Sequence, residues 1–272
     1  MTSWRRARWT GSRRSKDSSR PCVTWTRCVP ASELPPWLPL DGEGTRVVEA
    51  QSRIATNALV DDLDEQLLLE RLLERSKPRV LPPGPHFLIS TPFRYPPLRH
   101  GSRYGSTDER GIFYGSETLV TALAETAFYA LLFLDHSEGL DRLQVEKTAF
   151  VFGYGTRRGV DTTTPAFDSV RDRLEAPGDY AESQRVGRVA RAAGAEIVRF
   201  RSVRCPEAGA NLAVLTMDAL EPQPRSASAW QMLVRDRRVD FLEKNSLAPG
   251  RHSFAARAFA ERGVAAHPDR RA

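Results

Sequence analysis

The sequence has few of the residues that cross-link a chain or bind a metal ion, with three cysteines and five histidines in 272 residues. Cys22, Cys28 and Cys205 form neither a CxxC pair nor a four-ligand set, and an odd number is a poor basis for a disulfide framework. The histidines show no HExxH or comparable spacing. We therefore expect no metal centre and a reducing, cytoplasmic location.

Long hydrophobic runs are also missing. No run approaches the ~18 apolar residues that a membrane span requires. The hydrophobic fraction of 40% and the charged fraction of 27% are typical of a soluble globular protein. The length suits one sizeable domain with its own core, and we expect no membrane association.

The common nucleotide and hydrolase motifs are absent. There is no GxxxxGK[ST] phosphate loop and no GxSxG elbow. The segment FVFGYGTRRGV places Gly153, Gly155 and Gly159 after a predicted strand, but the third glycine comes one residue late for a dinucleotide-binding fingerprint and no helical pattern follows. We interpret this segment as a turn.

The formal charge of +6 is confined to one end of the chain. Residues 1–30 hold eight Arg and Lys against a single acid, Asp17, so the remaining 242 residues carry a charge of −1. The body therefore gives no basis for a nucleic-acid-binding domain. Two interpretations of the basic segment stay open: a flexible arm, or a start codon placed too early.

Composition divides the chain into three parts. Residues 29–44 mix Pro, Gly and acids and are interpreted as a linker. We expect residues 1–44 to be a disordered basic arm and linker, residues 45–250 to form one α+β domain, and residues 251–272 to be a tail.

Local patterns predict the main elements. Helices are expected at 60–78, at 117–134 after an N-cap at Ser116, and around 165–175 and 180–193; strands are expected at 86–90, 111–115, 143–155, 195–200 and 212–217, with a hairpin formed by AWQMLVR and VDFLEK. The Pro- and Gly-rich residues 91–110 are expected to be irregular.

One carboxylate in the predicted central helix stands out. Glu125 lies at the margin of an apolar stripe that includes Leu123, Ala127 and Phe128. Ionised carboxylates are rarely buried without a partner or a task, although a glutamate at a helix edge can also extend to solvent. The preceding loop carries four arginines beside glycines, Arg94, Arg99, Arg103 and Arg110, and guanidinium groups of this kind can bind phosphate oxygens.

Several separated blocks resemble one family. The segments PFRYPPLRHGSRYG, GIFYGSETLVTALAETAFYALLF and FRSVRCPEAGANLAVL, with VVEAQSRIATNALVDDLDEQLLLERLLERSKP before them, are similar in order to the RES domain, the toxin half of bacterial RES–Xre toxin–antitoxin pairs. The resemblance runs from about residue 45 to about 217, and to 245 if the hairpin is included.

The resemblance implies a set of site residues. Glu125, Arg103 and Ser202 match the Glu, Arg and Ser that give the family its name and are the expected catalytic residues. Arg94, Tyr104 and Tyr114 are the expected substrate-binding residues: Arg94 beside Arg103 on a pyrophosphate, Tyr104 in the glycine–arginine–aromatic element, and Tyr114 against a ring. Ser202 is expected to bond a carboxamide or a ribose hydroxyl.

The resemblance also implies a fold and an activity. The family is similar in fold to ADP-ribosyltransferases of the diphtheria-toxin type and is known for destroying NAD by hydrolysis or phosphorolysis. It implies NAD as a substrate, no cofactor, an Xre-type antitoxin partner and contact with nucleic acid only through that partner; a homo-oligomer is compatible. Two alternatives remain: transfer of ADP-ribose to a protein, or an inactive RES-like, nucleic-acid-associated protein with a basic arm.

Overall fold

A computed structural model describes residues 34–50, 84–95, 99 and 101–260. Most of the expected arm and the helix predicted at 60–78 lie outside these residues. In the described part, no helix is long and apolar enough to cross a membrane.

The described residues form one eight-stranded mixed sheet with helices packed on it, which confirms the α+β class. The strands are β1 (Leu38–Glu49), β2 (Phe113–Ser116), β3 (Arg142–Asp161), β4 (Ile197–Arg201), β5 (Ala210–Val214), β6 (Ser226–Arg235), β7 (Arg238–Glu243) and β8 (Arg251–Ala255). Their order is β1-β2-β5-β4-β3-β6-β7-β8, and β1 also pairs with β3. Five strands therefore close into a ring, from which β6, β7 and β8 extend as an antiparallel meander.

The helices are short except for two. They are α1 (Phe87–Ser90), α2 (Leu119–Asp135), α3 (Arg171–Leu174), α4 (Ala181–Ala193) and α5 (Ala256–Ala260), with single 3₁₀ turns at Thr91–Phe93, Pro165–Val170 and Met217–Ala219. The predicted helices at 117–134 and 180–193 correspond to α2 and α4. The predicted N-cap of α2 is wrong: Thr118 Oγ1 accepts from Thr121 N at 3.2 Å, whereas Ser116 ends β2.

Two hydrophobic clusters fix the parts that carry the site. The ring strands contribute one cluster that includes Phe113, Phe150, Phe152, Ile197, Leu212 and Val214. The apolar stripe of α2, including Leu123 and Phe128, packs against Trp230 and Phe241 of the meander. Helix α2 is thus held firmly by its buried face, and its other face is available to a site.

The strand predicted at 86–90 is wrong. Residues Phe87–Ser90 form a helical turn, and His86 Nδ1 accepts a hydrogen bond from Leu88 N at 3.2 Å as its cap. The apolar composition of HFLIS matches a strand equally well, but Ile89 and Ser90 are buried here by tertiary packing.

The turn predicted at FVFGYGTRRGV is also wrong, because β3 runs unbroken to Asp161. Gly153 and Gly159 do not reverse the chain; the missing side chain at each position lets a neighbouring segment approach β3 closely. A Cβ on Gly159 would lie 2.5 Å from side-chain atoms of Leu40 on β1, and one on Gly153 would collide with the Glu221 carboxylate.

The sheet extends past both expected domain limits. Strand β1 begins at Leu38, inside the expected linker, and β8 and α5 occupy residues 251–260, inside the expected tail. The Pro and Gly content of residues 29–44 concealed a strand whose pairing with β3 runs from Leu38↔Gly159 to Glu49↔Lys147.

This boundary predicts a truncation effect. A chain that starts at Thr45 loses the part of β1 from Leu38 to Gly44, whereas one that starts at Leu34 keeps it. Loss of a few ladder hydrogen bonds, each of about 1 kcal/mol, should lower the melting temperature by roughly 10 °C. Thermal melts of the two truncated proteins measure the difference, and equal melting temperatures would contradict the assignment of this segment to the fold.

Candidate active site

A cavity of about 460 Å³ opens between α2 and the ring, within the range of small-molecule sites. Its walls come from β1, the loop at 101–103, β2, one face of α2, Tyr180 before α4, the end of β4 with the turn that follows, and the start of β5. Elements far apart in sequence therefore meet at one site.

Glu125 is the one carboxylate among the described residues that line this cavity. Its Oε1 accepts hydrogen bonds from Ser202 Oγ and Asn211 Nδ2, both at 2.7 Å, and its Oε2 accepts from Arg204 Nη1 at 2.9 Å. Ser116 Oγ donates to Asn211 Oδ1 at 2.7 Å and so orients the amide. The helix-edge glutamate is thus held at the cavity and does not extend into bulk solvent.

The surroundings of Glu125 keep it ionised. Burial alone would raise the pKa of this carboxyl, but the Arg204 charge, the hydrogen bonds from Ser202 and Asn211, and the more distant Arg103 outweigh it and hold the pKa below its usual value. The carboxylate is therefore a weak base and a permanent negative charge near neutral pH.

Arg103 is buried in the cavity wall. Its Nη1 donates to the carbonyl oxygens of Leu174 at 2.9 Å and Ala176 at 3.1 Å, and its guanidinium lies 4.6 Å from the centre of the Tyr180 ring. Its Nη2 is buried and has no hydrogen-bond partner among the described residues. A fixed guanidinium with a spare donor beside a cavity suits an anionic ligand.

Arg46 of β1 is a second guanidinium at the cavity, half-buried as a residue. Nη1 donates to the Tyr114 carbonyl oxygen at 2.5 Å, the group lies 4.8 Å from the Phe113 ring centre, and Nε has no partner in the described structure. Burial lowers the pKa of Arg46 to about 10, so the group stays charged at neutral pH. No carboxylate of the described residues forms an ion pair with it.

Tyr114 is locked in place at the cavity wall. Its hydroxyl bonds with Ser102 Oγ at 2.8 Å and accepts from Tyr104 N at 3.0 Å, and its ring meets that of Phe200 edge-on. Burial raises the pKa of Tyr114, so it is a neutral phenol. The ring can border a ligand, but the hydroxyl is already occupied.

Comparison with known proteins gives the family. The sequence pattern described as the RES domain matches residues 78–241, more than half of the chain. The chain belongs to the RES domain family.

Other similarities to this RES protein are weaker. One chain of the crystal structure of the MbcT–MbcA toxin–antitoxin complex of M. tuberculosis aligns with a TM-score of 0.42 and 13% identity, over 70% of the RES chain described here and 85% of the other. No curated protein sequence matches the chain.

The structure brings four of the six expected RES site residues together. Glu125, Arg103 and Tyr114 line the cavity, and Ser202 supports it from behind. Ser202 is not at the cavity surface: its hydroxyl donates to Glu125 and accepts from Arg204 N and Cys205 N. It therefore positions the carboxylate in this arrangement, and the expected bond from Ser202 to substrate stays a prediction.

Two expected residues lie elsewhere. Arg94 is exposed at the end of the 3₁₀ turn Thr91–Phe93 and does not line the cavity. Tyr104 points into the core, where its ring packs on Phe200 and its hydroxyl lies 3.4 Å from Thr162 Oγ1. Local motif position placed both near the site, but the loop path turns Arg94 to solvent and Tyr104 into the protein.

Four cavity residues escaped the sequence-based reasoning: Arg46, Tyr180, Arg204 and Asn211. Arg204 and Asn211 lie two and nine residues after Ser202, in the same segment that resembles the RES domain. Their position in that segment was the signal by which they could have been predicted as site residues. Arg46 lies outside the part matched by the family pattern and next to an expected linker, which concealed it.

Proposed function

We propose that this RES protein destroys NAD by breaking the bond between nicotinamide and ribose, with water or phosphate as the acceptor. The observation that carries the proposal is the presence in one cavity of one ionised carboxylate, Glu125, and two arginines, Arg46 and Arg103. Each arginine has a buried nitrogen without a hydrogen-bond partner among the described residues.

The chemistry suits a single carboxylate. Nicotinamide leaves NAD as a neutral molecule because it is cationic while bound, so no general acid is needed. Positive charge moves to the ribose carbon and its ring oxygen, as in glycoside hydrolysis. A fixed anion such as Glu125 gains interaction energy with that charge in the transition state, which is what lowers the barrier.

The acceptor completes the reaction. An oxygen of water or of inorganic phosphate forms a bond to the ribose carbon as the bond to nicotinamide breaks, giving ADP-ribose or its 1″-phosphate. The proton of water passes to solvent, since a carboxylate held by Arg204 is a poor base. No oxidant or reductant is involved.

The arginines fit the other end of the substrate. A pyrophosphate carries two negative charges, and guanidinium forks match its oxygens. Arg103 Nη2 and Arg46 Nε are buried donors that a bound anion can satisfy. Tyr114, Tyr129 and Tyr180 supply aromatic rings around the cavity for the nicotinamide or ribose portion.

Family membership supports a biological setting. The RES domain is known as the toxin half of bacterial RES–Xre pairs. We therefore extend the proposal to a bacterial toxin that acts in the cytoplasm and is neutralised by an Xre-type antitoxin. Expression of the chain should then arrest a bacterial host and lower its NAD pool, and co-expression of the antitoxin should restore both.

The decisive test is incubation of the purified protein with NAD, with and without phosphate, while nicotinamide release is measured. Release with ADP-ribose or its 1″-phosphate as the co-product supports the proposal, and no release under either condition contradicts it. NAD labelled in the adenylate portion separates the nearest alternative, because transfer of ADP-ribose to a protein would leave the label on a macromolecule.

A further inference from the structure

Arg204 is the most tightly enclosed charge in the described structure of the site. Only 5% of its side chain is exposed, and its guanidinium contacts the adjacent rings of Phe128 and Tyr129, 4.3 Å and 4.4 Å from their centres. Nη1 donates to Glu125 Oε2 at 2.9 Å and Nη2 donates to Tyr180 Oη at 2.8 Å. Two rings and two hydrogen bonds therefore fix its position.

This enclosure determines what Glu125 can do. Each carboxylate oxygen is held by a donor from outside α2: Oε1 by Ser202 and Asn211, and Oε2 by Arg204. Of these donors only Arg204 is charged, so it contributes the largest part of the attraction that opposes the cost of burying the carboxylate.

We propose that Arg204 is a positioning residue that keeps Glu125 a fixed anion, so that the carboxylate stabilises the cationic ribose and does not serve as a general base. The inference rests on the proposed function. It explains why a RES site that needs one negative charge contains an arginine in direct contact with it: the ion pair is the condition for a partly buried glutamate to stay ionised.

Few other ionisable groups face Glu125. Arg103 acts on it from the loop at 101–103, Tyr180 lies before α4, and Tyr129 lies one turn along α2. Burial raises the pKa of Tyr180, so its phenol is neutral near pH 7. Removing the charge of Arg204 thus leaves Arg103, and Arg46 elsewhere in the cavity wall, as the remaining cations among the described lining residues.

The consequence is a defined change in pH dependence. Turnover needs ionised Glu125, so kcat falls as pH drops through its pKa. In the wild type this acid limb lies below the ordinary carboxyl range, because the folded pKa is lowered. In Arg204→Met the attraction is lost while burial remains, so the limb should move to higher pH by roughly one unit or more.

The experiment compares kcat and KM for NAD against pH in four proteins. Arg204→Met should lower kcat at neutral pH roughly tenfold, less than the ~10²-fold that a 1 Å misplacement of a reacting group costs, with little change in KM. Arg204→Lys keeps a positive charge at this position but lacks the planar guanidinium group, so its acid limb should lie closer to that of the wild type than the limb of Arg204→Met does. Tyr180→Phe keeps the ring under Arg103 and should move the limb less than Arg204→Met.

Arg199→Met is the matched control. Arg199 donates to Glu117 through Nε at 2.6 Å and Nη2 at 2.9 Å, but it does not line the cavity. Its loss removes ion pairs with Glu117 and Asp161 away from the cavity, so it should change stability without moving the acid limb. An unchanged limb in folded Arg204→Met, or an equal shift in Arg199→Met, would overturn the inference.

A second readout separates this inference from the proposed function. The difference in unfolding free energy between the wild type and Glu125→Gln, followed with pH, reports the folded pKa of Glu125 without any need for turnover. Because that pKa is lowered, the stabilisation is present above the unfolded value of ~4.3 and is lost as pH falls through the folded value. If the same comparison in an Arg204→Met background gives a higher folded pKa for Glu125 but the wild type does not cleave NAD, the proposed function fails and the electrostatic role of Arg204 stands. If Arg204→Met does not fold, Arg204→Gln removes the same charge and carries the test.

Discussion

Glu125→Gln should abolish nicotinamide release, with a loss of rate on the order of 10²-fold or more. The substitution keeps the length of the side chain but removes the charge that acts on the cationic ribose in the transition state. Binding of NAD should change little, because the anion-binding donors of Arg46 and Arg103 are untouched. Single-turnover rates and the Kd for NAD measure the two effects separately.

The structure also predicts a cost in stability for this variant. Glu125 accepts three hydrogen bonds from Ser202, Asn211 and Arg204, and a Gln amide would present N–H groups to at least one of these donors. The buried mismatch should cost about 1–3 kcal/mol. Rates should therefore be compared well below the melting temperature of the variant.

Glu117→Gln is the matched control for Glu125→Gln. Glu117 precedes α2, pairs with Arg199 through two hydrogen bonds and does not line the cavity. It should lose stability and keep its turnover. Near-normal turnover in folded Glu125→Gln would mean that the carboxylate is structural and that the catalytic assignment is wrong.

Arg46→Met should raise the KM for NAD by roughly 30-fold, which corresponds to about 2 kcal/mol. Arg46 is half-buried at the cavity and forms no ion pair with a described carboxylate, so an anionic ligand is its natural counter-charge. Because the arginine binds the pyrophosphate equally well in the ground state and in the transition state, kcat should be little changed. Arg103→Met should show the same pattern.

Arg94→Met tests whether Arg94 or Arg46 binds the pyrophosphate of NAD. Arg94 is exposed and is not part of the cavity wall, so its replacement should leave KM and kcat unchanged. A large rise in KM for Arg94→Met together with a small one for Arg46→Met would contradict the assignment of Arg46 and restore the expectation drawn from the motif. Steady-state kinetics over a range of NAD concentrations decide it.

The elements with strong periodic or turn signals could be predicted from sequence. The predicted helices at 117–134 and 180–193 and the hairpin of β6 and β7 are present because their apolar spacing matches the faces they bury. Short apolar segments were ambiguous: HFLIS is a helical turn, and the glycine-rich segment in β3 continues the strand. Whether such a segment becomes helix or strand depends on packing against β1 and the Met217–Ala219 region. These contacts come from distant parts of the sequence, so the local pattern of residues does not reveal them.

The sequence by itself determined the residues with motif positions, Glu125, Arg103 and Tyr114, and the family that they indicate. It also determined the α+β class, because the mixture of helical and alternating periods is a local property. Chemical type and spacing along the chain carry this information, since helix and strand geometry convert spacing directly into position.

Only the tertiary structure decided which polar groups meet. Arg46 lies 79 residues before Glu125 and Arg204 lies 79 residues after it, yet both reach the same cavity. Their roles depend on burial and on the partner of each nitrogen: both Nη atoms of Arg204 donate within the protein, to Glu125 and Tyr180, whereas Arg46 and Arg103 donate only to backbone carbonyl oxygens among the described residues. Burial and hydrogen-bond partners arise when the ring closes and α2 packs on the sheet, because contacts between distant segments do not follow from local pattern.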